Sequence, residues 1–413
     1  MAQWLEYLAY ANRENNPFVT MGKLRAFIIE LDNPQGVFFA GNCVSGRLYI
    51  ELDAEMNMRE IRLKFKGAAN VYWTESRTTG TGSKAETVTD SYSAHETYFE
   101  QRVPVFGKGV GMGSENSLPP GEHFFPFSLQ LPPTLPSSFE GGVGYVRYTI
   151  KGTIDKPWKF DHDTKRPFTV TSLLDLNTYP NATSEVRNLH QKYLCCLCCR
   201  SGPISGLIKL DRSGYVPGEM IPFNAEIQNM SSRDCAPSLK LNMVTLFHAT
   251  TSTKTTSQEI IRMNHQVVPA GETEIWTDRI QVPPLPPSFL MGCSIIDINY
   301  NLELTIAPSG PAYDLNVPVP IIIGTIPLYS VVQQYQTQYE TSLQEQAPPF
   351  APPGAETSLT QLPMPPPSYS ECVFGKTNIR EEDDSEHTRG EMDYAPAYTY
   401  YDWSKQSQFN LKI

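Results

Sequence analysis

The sequence predicts an all-β protein, two tandem β-sandwiches followed by a disordered C-terminal tail, and three observations carry that expectation. From Lys23 to about Ile326 the chain runs in short apolar-alternating stretches broken by Gly, Pro, Asn and Asp, which is the pattern of sandwich strands rather than helices. Three sequence blocks recur in the same order in the two halves, so one unit is duplicated. From Tyr329 onward Gln, Pro, Ser and acidic residues take over, and such a segment lacks the apolar area to offset the entropy of ordering.

The expected organisation is an N-terminal extension over residues 1–20, a first sandwich over 21–172, a connection with a Cys cluster over 173–203, a second sandwich over 204–327 and an acidic Pro-rich tail over 328–413. A chain of 413 residues fits two domains of about 150 residues each with a less ordered remainder. Met1 to Thr20 carries Glu6, Arg13 and Glu14 among its apolar residues, which does not suit a cleaved signal peptide.

In the first sandwich the run Arg59 to Gly67 alternates cleanly. Ile61, Leu63 and Phe65 share one face and Arg62, Lys64 and Lys66 the other, as in a half-buried strand. The repeat begins weakly, with Val37 to Gly46 matched by Tyr215 to Phe223. It becomes firm at Leu118-Pro-Pro-Gly-Glu122 and Leu131-Pro-Pro-Thr-Leu-Pro-Ser-Ser-Phe139, matched by Val268-Pro-Ala-Gly-Glu272 and Val282-Pro-Pro-Leu-Pro-Pro-Ser-Phe289. Val146 to Ile154 then aligns with Ile298 to Ile306, placing Tyr148 opposite Tyr300. Gly41 to Gly121 spans 80 residues where Gly218 to Gly271 spans 53, and the surplus falls in the Thr-, Ser- and Gly-rich segment from Glu75 to Glu100, expected as a mobile surface loop or hairpin extension. Ser172 to Pro203 shows no clear strand pattern and reads as the interdomain connection.

Charge and cysteine usage narrow the function. The formal charge is -11; from Leu328 onward 12 acidic residues face 5 basic ones, so the body is nearly balanced and nucleic acid is excluded as the expected partner. The longest apolar stretch, Val317 to Ile326, is too short to span a bilayer and contains Pro318 and Pro320. Eight cysteines, four of them crowded into Cys195, Cys196, Cys198 and Cys199, do not make a disulfide scaffold, so a reducing cytosol is expected and the sequons at Asn181 and Asn229 are chance matches.

Tandem sandwiches with Pro-Pro turns before paired strands resemble the arrestin fold, an immunoglobulin-type architecture. Asp155-Lys-Pro-Trp158, Phe168-Thr-Val170, Leu174-Asp-Leu-Asn177 and Val319-Pro-Ile-Ile-Ile-Gly-Thr-Ile-Pro327 sharpen this to the α-arrestins, the arrestin-domain-containing proteins. The tail string Pro365-Pro-Pro-Ser-Tyr-Ser-Glu371 matches the Pro-Pro-x-Tyr element that α-arrestins carry, with Pro366, Pro367, Ser368 and Tyr369 as the WW-domain-binding residues. The resemblance implies a non-enzymatic adaptor, in the cytoplasm and recruited to plasma membrane and endosomes, which links receptors or transporters to WW-domain HECT-type ubiquitin ligases.

The physical reading of the motif agrees. Two prolines pre-set a polyproline II turn that an aromatic groove binds at little ordering cost, and Tyr369 supplies the specific end. A weak second motif, Ala395-Pro-Ala-Tyr398, keeps Pro396 and Tyr398 but lacks the first proline. The four clustered cysteines form overlapping Cys-x-x-Cys pairs that suit acylation or a metal; with no second pair nearby, no metal site is assigned and no cofactor is expected. Gly107 to Gly113 suggests a phosphate loop superficially, but Pro119 and Pro120 follow in place of a helix. Tyr329-Ser-Val-Val332 fits a Tyr-x-x-apolar sorting signal, and Ser385 lies among acidic residues that suit an acid-directed kinase. No nucleophile, base and orienting group occur in a recognisable arrangement. Two other functions stay open at this point: a thiol- or metal-linked regulatory protein, and a coat-type sorting subunit.

Overall fold

A computed structural model describes residues 23–80, 86–107, 116–157, 160–196, 199–335, 337 and 368–403. Two sandwiches follow one another. In the first, a three-stranded sheet of Leu24–Leu31, Cys43–Leu52 and Gly121–Gln130 packs on a larger sheet ordered Val37–Phe39, His162–Thr171, Gly144–Asp155, Glu60–Thr79 and Glu86–Gly107. In the second, Val186–Cys196, Cys199–Leu210, Met220–Asn229 and Thr273–Gln281 face a sheet ordered Gly214–Tyr215, Leu315–Ile323, Ile296–Pro308, Cys235–His248 and Thr253–Asn264.

The duplication is visible down to single hydrogen bonds. Tyr148 donates its hydroxyl to the Pro136 carbonyl at 2.7 Å, and Tyr300 donates to Pro286 at 2.8 Å, each tyrosine fully enclosed. The Ser138 hydroxyl accepts the Val170 amide at 2.9 Å, and Ser288 accepts Ile323 at 2.9 Å. In both copies the Pro-Pro segment therefore lies beside the paired central strands, and a buried tyrosine satisfies a carbonyl that a proline-rich stretch cannot pair within a sheet ladder. The short parallel pairings Val37–Phe39 with Thr169–Thr171 and Gly214–Tyr215 with Ile322–Ile323 are equivalent in the same way.

The strand periodicity holds where it was cleanest. Ile61, Leu63 and Phe65 are buried, and Arg62, Lys64 and Lys66 face outward. The Glu75 to Glu100 surplus is the hairpin extension: Glu60–Thr79 and Glu86–Gly107 pair along their whole length.

Two expectations need correction. The connection over 173–203 is not strandless, because Val186–Cys196 and Cys199–Leu210 form an antiparallel hairpin of the second sandwich. Val186–Cys196 is an edge strand whose inward row carries polar Asn188 and His190, bonded to the Pro318 and Asn316 carbonyls, while Leu189 and Tyr193 are exposed, so no apolar alternation marks it in the sequence. The tail over 328–413 is not disordered throughout. Residues 329–335 continue the second sandwich as a short helix, and residues 368–403 pack against both sandwiches.

The two sandwiches meet directly. Phe139 lies 6.4 Å from Phe247 ring to ring, the Glu96 carboxylate accepts the Ser294 amide, and Leu174 and Thr325 exchange hydrogen bonds across the connection. Tyr329 donates its amide to Asn177 and residues 329–335 are helical, so the Tyr-x-x-apolar string lies within a helix.

Candidate functional site: a tail docked across both sandwiches

Three lysines stand in one row across the outer face of the larger first-sandwich sheet. Lys64 is directly opposite Lys151 in the antiparallel ladder, and Lys151 is directly opposite Lys165. Like charges at opposed positions repel, so the row is unfavourable unless an anion covers it.

Glu100 of the same sandwich lies 3.6 Å from Lys64 and Asp163 lies 3.7 Å from Lys151, and the tail supplies the closer cover. Asp384 accepts from Lys165 at 2.6 Å and from Lys151 at 3.0 Å; Glu381 reaches Lys165 at 3.2 Å and Lys66 at 3.4 Å; Asp383 reaches Lys64 at 3.4 Å. The Lys165 side chain is 1% exposed and the Asp384 side chain 0%, so this pair is a desolvated interaction rather than a surface ion pair. Lys165 also donates to the Ile379 carbonyl, and the Glu391 amide donates to the Lys165 carbonyl. Beside it Arg147 holds Glu140 through two bonds of 2.7 Å and lies 3.8 Å from the Tyr145 ring centroid.

Burial alone would raise the Asp384 carboxyl, but the Lys165 hydrogen bond, the Glu381 amide and Lys151 together hold it below the usual carboxylate range; Asp383 is lowered too, against burial, by Lys151 and Lys64. A carboxylate depressed in the docked state contributes stability above its free value and loses it as pH falls through its docked value. Tail docking is thus expected to be intact at pH 5 and to fail only below about pH 4. Energy transfer between a label on the tail and one on the first sandwich, followed through an acid titration, checks this; release between pH 5 and 7 would contradict it.

Further along, the tail anchors through tyrosines. Tyr394 shares a hydrogen bond with Thr169, Tyr398 donates to the Ser138 carbonyl at 3.0 Å, and Tyr401 donates to the Thr325 carbonyl at 2.7 Å; all three are buried. Trp403 stacks on Tyr335 at 4.3 Å. Each such ring contributes about 1.5–3 kcal/mol by burial, and each hydroxyl finds a carbonyl or hydroxyl partner.

This geometry places the sequence-predicted residues. Pro366 and Pro367 lie outside the described residues, whereas Ser368 and Tyr369 belong to a short strand, Ser368–Glu371, paired antiparallel with Ala397–Tyr400. The second motif is the partner of the first: the Pro396 carbonyl accepts the Cys372 amide, and Tyr398 is turned into the body, so the docked tail does not present it. Cys195, Cys196 and Cys199 fall at the end of the edge hairpin; Cys198 and the side chains of the cluster lie outside the described residues. Among the described residues the grouping of three or more possible metal ligands is Glu381, Asp383 and Asp384, and lysine ammonium groups already occupy those carboxylates.

Comparison with known proteins agrees with the fold. The model of the arrestin (or S-antigen) N-terminal domain matches residues 27–177, and that of the C-terminal domain matches residues 200–328. Arrestin domain-containing protein 17 of Caenorhabditis elegans is 31% identical over 92% of this chain and 100% of its own length. The chain belongs to the α-arrestin family. Arrestin domain-containing protein 4 is 30% identical in Mus musculus, over 83% of this chain and 80% of that protein, and 32% identical in Homo sapiens, over 72% and 70%.

For this α-arrestin, family membership points to an adaptor role in trafficking, and arrestin-domain proteins are generally non-enzymatic adaptors. Among the described residues no helix is long and apolar enough to cross a membrane. Sequence reasoning missed the lysine row and its acidic cover. The signal was present in two halves: outward lysines on a cleanly alternating strand, and an acidic run from Glu381 to Asp384 whose residues read as disordered tail and as the setting of an acid-directed kinase site at Ser385.

Proposed function

We propose that this α-arrestin is an adaptor that links the cytosolic parts of membrane proteins, such as receptors or transporters, to WW-domain HECT-type ubiquitin ligases through Pro366, Pro367, Ser368 and Tyr369. It works by proximity, in the cytoplasm and at plasma membrane and endosomes, raising the effective concentration of cargo lysines near the ligase. The observation that carries the reading is a Pro-Pro-x-Tyr string in the C-terminal tail of an arrestin-type body. A single motif of this kind binds in the micromolar range, about -8 kcal/mol, so the contact is reversible.

Thiol chemistry has less support. Burial pushes the Cys235 and Cys372 thiols up to about 11 and also raises Cys293, so these three are held as inert thiols rather than thiolates.

The test is binding of the full chain to a panel of isolated WW domains, beside Pro367→Ala and Tyr369→Ala. Each substitution is expected to cost about 2 kcal/mol or more, roughly 30-fold in affinity. Equal binding by the Tyr369→Ala chain would remove the motif from the function and leave the arrestin body to be explained by assembly into a sorting complex.

A further inference from the structure

We infer that the docked tail is a latch on the ligase-binding motif: the strand Ala397–Tyr400, fixed to the body, pairs with Ser368–Glu371 and withholds Tyr369 from WW domains until the tail lifts. The inference rests on the ligase reading above and adds its control.

The register sets Ser368 against Tyr400, Tyr369 against Thr399, Ser370 against Tyr398 and Glu371 against Ala397. A two-stranded ribbon this short does not persist alone in water. Here one of its strands is held by the body at several points. The Ala397 amide donates to the Thr169 hydroxyl at 3.1 Å, Tyr398 donates to the Ser138 carbonyl, and the Tyr401 amide donates to the Pro217 carbonyl at 3.1 Å. The anchors come from both sandwiches, since Ser138 and Thr169 belong to the first and Pro217 to the second. The motif strand is then held through its partner, and Cys372, immediately after it, is buried and donates its amide to Pro396.

A WW groove must close around a polyproline II segment and take the tyrosine ring into a pocket. A strand hydrogen-bonded along one edge to a partner strand that is itself fixed to the body cannot be enclosed in that way. Binding therefore draws on the undocked fraction alone, and apparent affinity falls by that fraction. The same geometry assigns a role to the second motif: Tyr398 is the latch anchor and not a second WW ligand.

The test compares WW-domain binding to the full chain with binding to a linear peptide of residues 360–376, which holds the first motif and needs no fold. The full chain is expected to bind at least tenfold more weakly than the peptide, and Tyr398→Ala and, separately, Tyr401→Ala in the full chain are expected to bring it to the peptide's affinity. Hydrogen exchange at the Ser368–Glu371 amides should be slow in the parent chain and fast in both variants, with the melting of the sandwiches retained. Equal affinity of peptide and chain, or a gap that neither substitution narrows, overturns the latch and leaves the ligase reading standing. Weaker binding by Tyr398→Ala than by the parent chain overturns it too, because that is the behaviour of a second WW site. A peptide that fails to bind any WW domain overturns the ligase reading and this inference with it.

Discussion

Replacing Lys165 by glutamate is expected to free the acidic part of the tail while leaving the first sandwich folded. Docked, Lys165 is enclosed between the Asp384 and Glu381 carboxylates and the Ile379 carbonyl. Removing one partner of a desolvated pair typically costs about 3–5 kcal/mol because the other charge is left without compensation, and reversing the sign adds repulsion. A loss of that size shifts the docking equilibrium by more than about a hundredfold. Undocked, the sign of the effect changes. Lys165 then sits in a row with Lys151 and Lys64, and a glutamate there turns like-charge neighbours into opposite ones. The body should keep its melting temperature or gain slightly, while the amides of Ile379 and Glu391, bonded to Met392 and Lys165 carbonyls, lose protection from exchange. A second change, Asp384→Lys in the Lys165→Glu background, restores opposite charges and should recover part of the protection. Retained protection in the single variant would show that the tyrosine anchors alone hold this segment.

The lysine row explains how far the sequence could be read. The sandwiches were legible because burial on one face imposes a period of two, and because the duplicated Pro-Pro blocks repeat a specific hydrogen-bonding task carried out by Tyr148 and Tyr300. The edge strand Val186–Cys196 was not legible, since the middle of its inward row is polar: Asn188, His190 and Lys192 bond the Pro318, Asn316 and Tyr313 carbonyls between Val186 and the buried Leu194. The docked tail was not legible for another reason. Composition counts its few apolar residues against ordering entropy, yet Tyr394, Tyr398 and Tyr401 are spaced to enter sites made by distant segments at Thr169, Ser138 and Thr325. Contacts separated by more than 70 residues leave no local period. For the candidate motif the sequence supplied the residues and the fold supplied their situation: a Pro-Pro-x-Tyr string reads as exposed until the strand beside it is seen to be fastened to the body.

Gly218→Ala is expected to unseat the other end of the tail by a purely steric route. Gly218 has φ of 95°, a conformation that L residues rarely adopt, and its amide and carbonyl are used by Val282 and Gln281. A Cβ there would lie 1.9 Å from the Tyr401 carbonyl oxygen and 2.9 Å from its carbonyl carbon. Both are backbone atoms, so no rotamer relieves the overlap and the tail must move. The substitution therefore carries two separable costs. One is local strain of about 1–2 kcal/mol in the second sandwich, present whether or not the tail is docked. The other is exclusion of the Tyr401 segment, which gives up the Pro217 and Thr325 hydrogen bonds and the stacking of Trp403 on Tyr335. Comparison with Tyr401→Ala separates them, because that change undocks the segment without straining Gly218. Both variants should show fast exchange at the amide of position 401, and Gly218→Ala alone should lower the melting temperature of the second sandwich further. Since Lys165 lies on the first sandwich and Gly218 on the second, and they share no partner, the two substitutions should add in a double variant. A more than additive loss would instead mean that the tail docks as one cooperative unit bridging the sandwiches, with each anchor depending on the other.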